Sequence, residues 1–95
     1  MMQDFPTRLQ RAFVELVTEY ARAQGWKKSQ FAQNVWPQAP AKAAAAKWSA
    51  MRGQAAHTGK PQGVLLSDAQ QMAETLGEDL SFLIAIAKEN ARRLP

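Results

Sequence analysis

The sequence predicts an all-helical domain, on three grounds. Alanine is abundant and β-branched residues are few, a balance that favours helix over strand. Apolar residues recur at three- and four-residue steps, the period of one helix face. Glycine, proline and capping residues punctuate the chain between those stretches, dividing it into five helices. Ninety-five residues are enough for one domain, here taken as residues 1–95, that folds without staples.

The first helix is expected over about residues 5–24. Phe5, Leu9, Ala12, Phe13, Leu16, Val17 and Tyr20 make its apolar stripe. Asp4 or Phe5 caps it and Pro6 fits the first turn. Gly25 suits the left-handed residue that stops a helix, with Trp26 folding back onto Tyr20 or Ala21. A shorter helix fits residues 28–36, with Phe31, Ala32 and Val35 inward; Trp36-Pro37 ends it, because the residue before proline is pushed out of the α region. Pro37-Gln38-Ala39-Pro40 is a turn, and Pro40 opens a third helix over residues 40–52. That helix holds Ala41, Ala44, Trp48 and Met51 on one face, with Lys42, Ala46, Ser49 and Ala50 on the other. Five of the six residues from Ala41 to Ala46 are alanine: excellent helix formers that offer no polar side chain beyond Lys42.

Gly53 to Gly63 reads as a loop longer than the usual connection of about 2–8 residues between helices. Ser67 is the expected cap of a fourth helix carrying Met72, Ala73 and Leu76 and stopped by Gly77. Asp79 caps a fifth, which places Leu80, Leu83, Ile84 and Ala87 on the core. Phe82 and Ile86 lie off that face. They pack under the first helix or form a self-association patch, which makes them the candidate dimer residues.

Charge is distributed unevenly. From Ala21 to Ser67 there is no acidic residue, against seven basic ones: Arg22, Lys27, Lys28, Lys42, Lys47, Arg52 and Lys60. The rest of the chain holds all eight acids and five bases. The modest net charge of +4 therefore conceals a polarised molecule. A field of one sign concentrates a polyanion and steers its approach, so nucleic acid is the first partner to consider.

Several classes are excluded. There is no cysteine, hence no disulfide framework and no thiolate metal site. One histidine, His57, cannot build a histidine cluster. No apolar run of about twenty residues is present, and Met1-Met2-Gln3-Asp4-Phe5-Pro6 has neither the basic leader nor the apolar core of a signal peptide, so a cytoplasmic protein with no membrane partner and no cofactor is expected. Thr58-Gly59-Lys60 lacks the second glycine and the preceding strand of a phosphate loop. Glu78-Asp79 is explained by helix capping. No constellation supports catalysis, and an enzyme is not expected.

Two short helices joined by a turn inside a five-helix chain suggest a helix-turn-helix, in which the first helix rests on the DNA backbone and the second enters the major groove. The chain resembles the phage-repressor (lambda-repressor and Cro-like) helix-turn-helix family. The resemblance rests on Gly25-Trp26-Lys27-Lys28-Ser29-Gln30-Phe31-Ala32, on Lys47-Trp48-Ser49-Ala50-Met51-Arg52, and on Met72-Ala73-Glu74-Thr75-Leu76-Gly77-Glu78-Asp79-Leu80. It covers most of residues 5–87, with the motif over about residues 27–53. It implies a five-helix lambda-repressor-like domain and a double-stranded DNA-binding transcriptional regulator of phage or mobile-element type. Lys28 then meets a phosphate at the start of the second helix, and Trp48 and Met51 hold the recognition helix to the core.

The turn around Trp36–Pro40 is longer than that family's. With Trp48 in the core, the base-reading positions fall on Ala45, Ala46 and Ala50, which touch a thymine methyl but hydrogen-bond no base edge. Lys42, Lys47, Ser49 and Arg52 supply polar contacts from the helix, and Gln54, Thr58 and Lys60 from the loop behind it. Four to six cations on phosphates correspond to a log-log salt slope of roughly −4 to −5. Two alternatives stay open: an interaction module on the same fold, such as an antitoxin or adaptor, and a sequence-indifferent nucleic-acid binder. A homodimer reading paired half-sites fits the first interpretation.

Overall fold

A computed structural model describes residues 4–53 and 61–93. Its described residues form five helices and no strand: α1 (Phe5–Ala23), α2 (Lys28–Val35), α3 (Ala41–Arg52), α4 (Leu66–Leu76) and α5 (Leu80–Arg93). The all-helical expectation holds, with helix ends displaced by one or two residues.

The ends follow from local chemistry. The Asp4 carboxylate accepts from the Thr7 N–H at 3.0 Å, satisfying one of the donors a helix start leaves free. At the other end of α1, Gly25 turns left-handed at φ 84°, a conformation that penalises any Cβ. The Gly25 N–H then reaches the Arg22 carbonyl and the Trp26 N–H the Ala21 carbonyl, the paired bonds of a Schellman motif. Gly77 ends α4 in the same way, with Gly77 donating to Glu74 and Glu78 to Ala73. Trp36, ahead of Pro37, leaves the helical region at φ −122°, ψ 69°. The turn that follows is held by the Ala39 N–H on the Trp36 carbonyl and by the Gln33 amide on the Ala39 carbonyl at 3.1 Å.

Two expectations are corrected. Ser67 does not cap α4: the helix starts after Leu65, and Asp68 in its first turn accepts from the Leu65 N–H at 3.2 Å. A carboxylate in that position also meets the positive end of the helix dipole, which a serine hydroxyl cannot do as well. Ala41 is exposed rather than inward: it is the first residue of α3, and burial on that side starts at Ala44.

The core forms where the helices cross. α1 packs most extensively on α5, and α2 on α3. Phe31, Ala44, Trp48 and Met51 meet at the α2–α3 junction, all fully or nearly fully buried; the Phe31 and Trp48 ring centroids lie 5.2 Å apart. Val14 and Val17 of α1, Met72 of α4 and Leu83, Ala87 and Ala91 of α5 complete the interior. Of the two residues set off the α5 core face, Ile86 packs against the core while Phe82 remains 50% exposed.

Candidate nucleic-acid interface

α3 presents three different sides. Ala44, Trp48 and Met51 point inward. The helical repeat then places Lys42, Ala46 and Ser49 on the opposite side, where all three are exposed. Ala45 and Ala50 are half-buried. The Ala50 carbonyl accepts the Gln62 N–H at 2.9 Å, so the chain returning toward α4 passes beside Ala50. The Gln10 side chain on α1 holds the same segment through the Val64 N–H at 2.9 Å. Among the expected base-reading alanines, Ala46 is therefore the most open.

The cations of α3 divide between its flanks. Lys47 turns toward α4, where its ammonium lies 3.3 Å from Asp68 Oδ1. Asp68 is buried to 3% exposure, and the same oxygen accepts the Trp36 indole N–H at 3.0 Å. Lys47 Nζ also stands 4.9 Å from the centre of the Trp36 ring. One buried carboxylate thus joins the end of α2, the flank of α3 and the start of α4. Lys47 is part of that structural knot and is less available to an outside anion than its place in the sequence implied.

Arg52 lies on the other flank. Its guanidinium is 5.5 Å from the Trp48 ring centre, and burial lowers its pKa from the usual arginine value. Its Nε–H is buried and has no acceptor among the described residues. Beside it is a pocket of about 100 Å³ between α1, α2 and α3. Arg22, Lys28 and Arg52 supply the charged part of its wall, and Trp26, Phe31 and Trp48 the aromatic part. The Gly25 reversal explains the convergence, since it folds the first turn of α2 back beside the last turn of α1 and so sets Lys28 near Arg22. No acid lines this pocket. A wider groove of about 310 Å³ continues from it along α1, lined by Glu15 and Glu19 together with Arg11, Arg22 and Arg52.

The structure therefore brings Lys28 and Arg52 together, adds Arg22 and Trp26, which sequence reasoning had not placed at the site, and directs Lys47 elsewhere. The available signal for Arg22 was its position three residues before a glycine turn, with Lys28 three residues after it. Gln54, Thr58 and Lys60, together with His57, lie outside the described residues.

No helix among the described residues is long and apolar enough to cross a membrane. Comparison with protein-family models, with curated proteins and with solved structures gives no match.

Proposed function

We propose that this chain binds double-stranded DNA as a transcriptional regulator, using a lambda-repressor-like helix-turn-helix in which α3 enters the major groove. The observation that carries the reading is that neither α2 nor α3 contains an acidic residue. Lys28, exposed at the first turn of α2, and Arg22 and Arg52 beside it flank a helix whose outer side shows Lys42, Ala46 and Ser49. A cationic flank beside an outer side that adds Lys42 suits a duplex, whose phosphates line the edges of the groove. The positive end of α2 adds to the attraction at Lys28.

A second reading, sequence-indifferent binding, is favoured by one specific feature. The outer side of α3 carries alanine where a base-reading protein usually carries amide or guanidinium groups. Selection from a random duplex library at physiological salt distinguishes the two. An enriched motif identifies a sequence-reading regulator, and retention without enrichment identifies the indifferent binder. Failure to retain any duplex refutes both and leaves the protein-interaction module.

The charge-reversed pair Lys28→Glu with Lys42→Glu tests the surface directly, since both residues are exposed and neither has a partner in the core. Duplex affinity should collapse while the helical circular-dichroism spectrum is unchanged. The single change Lys42→Gln should reduce the log-log salt slope by about 1 if that lysine meets a phosphate.

A further inference from the structure

The pocket between α1, α2 and α3 has a property that a flat basic surface lacks: it holds three like charges around an apolar, aromatic floor. Arg22, Lys28 and Arg52 line about 100 Å³ that no carboxylate enters. Cations gathered in this way repel one another, and the repulsion grows as burial lowers the local dielectric. Arg52 carries a further cost, that of burial. It is half-buried against Trp48, its Nε–H is unsatisfied among the described residues, and burial disfavours its charged form. Lys47 differs in this respect, because Asp68 neutralises it. The pocket lacks such a countercharge.

The geometry points to this pocket as a binding site for a single phosphoryl group, held by Arg22, Lys28 and Arg52 over the Trp26 ring. A tetrahedral oxyanion offers several acceptor oxygens to donors arriving from three helices, and a guanidinium engages two of them side by side. The volume matches a compact group: an apolar cavity of about 150 Å³ holds benzene. Trp26 is half-buried, its indole N–H bonded to the Gln24 side chain at 3.0 Å. Its ring therefore forms a wall and adds no competing donor. Glu15 and Glu19 in the adjoining groove disfavour extension of a polyanion along α1, so the site suits one terminal or isolated phosphoryl group better than a run of them. The group has two possible sources, a strand of nucleic acid or a free phosphorylated small molecule, and the pocket chemistry is common to both. The inference stands apart from the duplex reading.

The test is an NMR titration of the intact chain with inorganic phosphate, ionic strength being held constant with sodium chloride. Saturable shifts are expected at the Arg22 and Arg52 Nε–H and Trp26 indole signals. Arg52→Gln and Arg22→Gln should each weaken the apparent phosphate affinity about tenfold or more, as loss of a charge-assisted hydrogen bond implies. Lys88→Gln, the same charge change on α5, should leave it unaltered. Arg22 is exposed, so its variant keeps the proposal testable if Arg52→Gln impairs folding. Shifts that stay linear through the millimolar range, or that appear equally at Arg92 and Arg93, overturn the site. A parallel duplex titration separates the two readings. Phosphate binding without duplex binding supports the pocket and removes the DNA reading, whereas duplex binding with silent pocket signals overturns the pocket alone.

Discussion

Replacing Asp68 with alanine should destabilise the protein by about 2–4 kcal/mol, and the structure shows where that cost arises. Asp68 accepts three hydrogen bonds: from the Trp36 indole at 3.0 Å, the Lys47 ammonium at 3.3 Å and the Leu65 amide at 3.2 Å. Trp36 is buried, so its N–H loses its acceptor with no replacement from water, at about 1–3 kcal/mol. The Lys47 side chain is 35% exposed and can turn to solvent, so the lost ion pair adds less than about 1 kcal/mol. Losing the carboxylate at the start of α4 removes a further ~0.5–1 kcal/mol of capping and dipole interaction. Relief from burying a charge offsets part of the sum.

Asp68→Asn is the discriminating companion. It keeps an oxygen for Trp36 but loses the charge and, with an amide nitrogen in place of Oδ2, the bond from the Leu65 N–H, so it should cost about half as much. Urea unfolding followed by circular dichroism measures both variants, and a double-mutant cycle with Lys47→Met isolates the ion pair. A loss below about 0.5 kcal/mol for Asp68→Ala would refute the reasoning, because a surface carboxylate costs no more than that. The result also bears on the DNA experiment. Reversing Lys47 to glutamate would set two carboxylates against each other at a buried site, which is why the charge-reversal test uses Lys28 and Lys42.

Trp48→Ala, at a ring 2% exposed between Phe31 and Arg52, should cost roughly 3–5 kcal/mol in the same unfolding assay. Gly25→Ala meets no atom within 4 Å, so its cost of about 1–2 kcal/mol should come from the left-handed backbone alone; a neutral result in thermal unfolding would mean that the turn relaxes. The Asp4 carboxyl is held below its ordinary pKa by the hydrogen bond from Thr7. A lowered folded-state value means that the cap contributes fully above the unfolded pKa of about 3.9 and fades as pH falls through the lower folded value. Comparing Asp4→Asn with the parent chain across acid unfolding should show that difference shrinking below pH of about 4.

Local grammar made the helices legible in the sequence. Gly25 and Gly77, Pro37, Asp4 and the three- and four-residue spacing of Phe31, Val35, Trp48 and Met51 each act within a turn or two of the chain, and each is found where that chemistry puts it. The same periodicity set Ala44, Trp48 and Met51 inward and Lys42, Ala46 and Ser49 outward, but it misplaced Ala41, which is exposed, and Ala50, which is half-buried. What the sequence concealed is long-range pairing. Asp68 lies 32 residues from Trp36 and 21 from Lys47, and no spacing rule connects them. Serine next to it is an equally good cap by residue type, so type alone does not single out the carboxylate. Arg22 and Arg52 likewise share a pocket only because α1 and α3 cross. Charge counted along the chain placed Lys47 and Arg52 in one basic stretch, but the fold neutralised one with a buried acid and left the other without a countercharge.

The dominance of the α1–α5 packing sets a timetable for the chain. The first helix buries its apolar stripe largely against the last, and on the order of 60 residues separate the end of α1 from the start of α5. At a synthesis rate of about 5–20 residues per second, Phe13, Leu16 and Val17 wait several seconds before Leu83, Ala87 and Ala91 exist to cover them. The α2–α3 pair, only a five-residue turn apart, has no such wait. The part of the molecule that carries the cationic pocket is thus assembled from neighbours early, while the opposite layer is a late closure, exposed to chaperones and proteases until the final helix arrives.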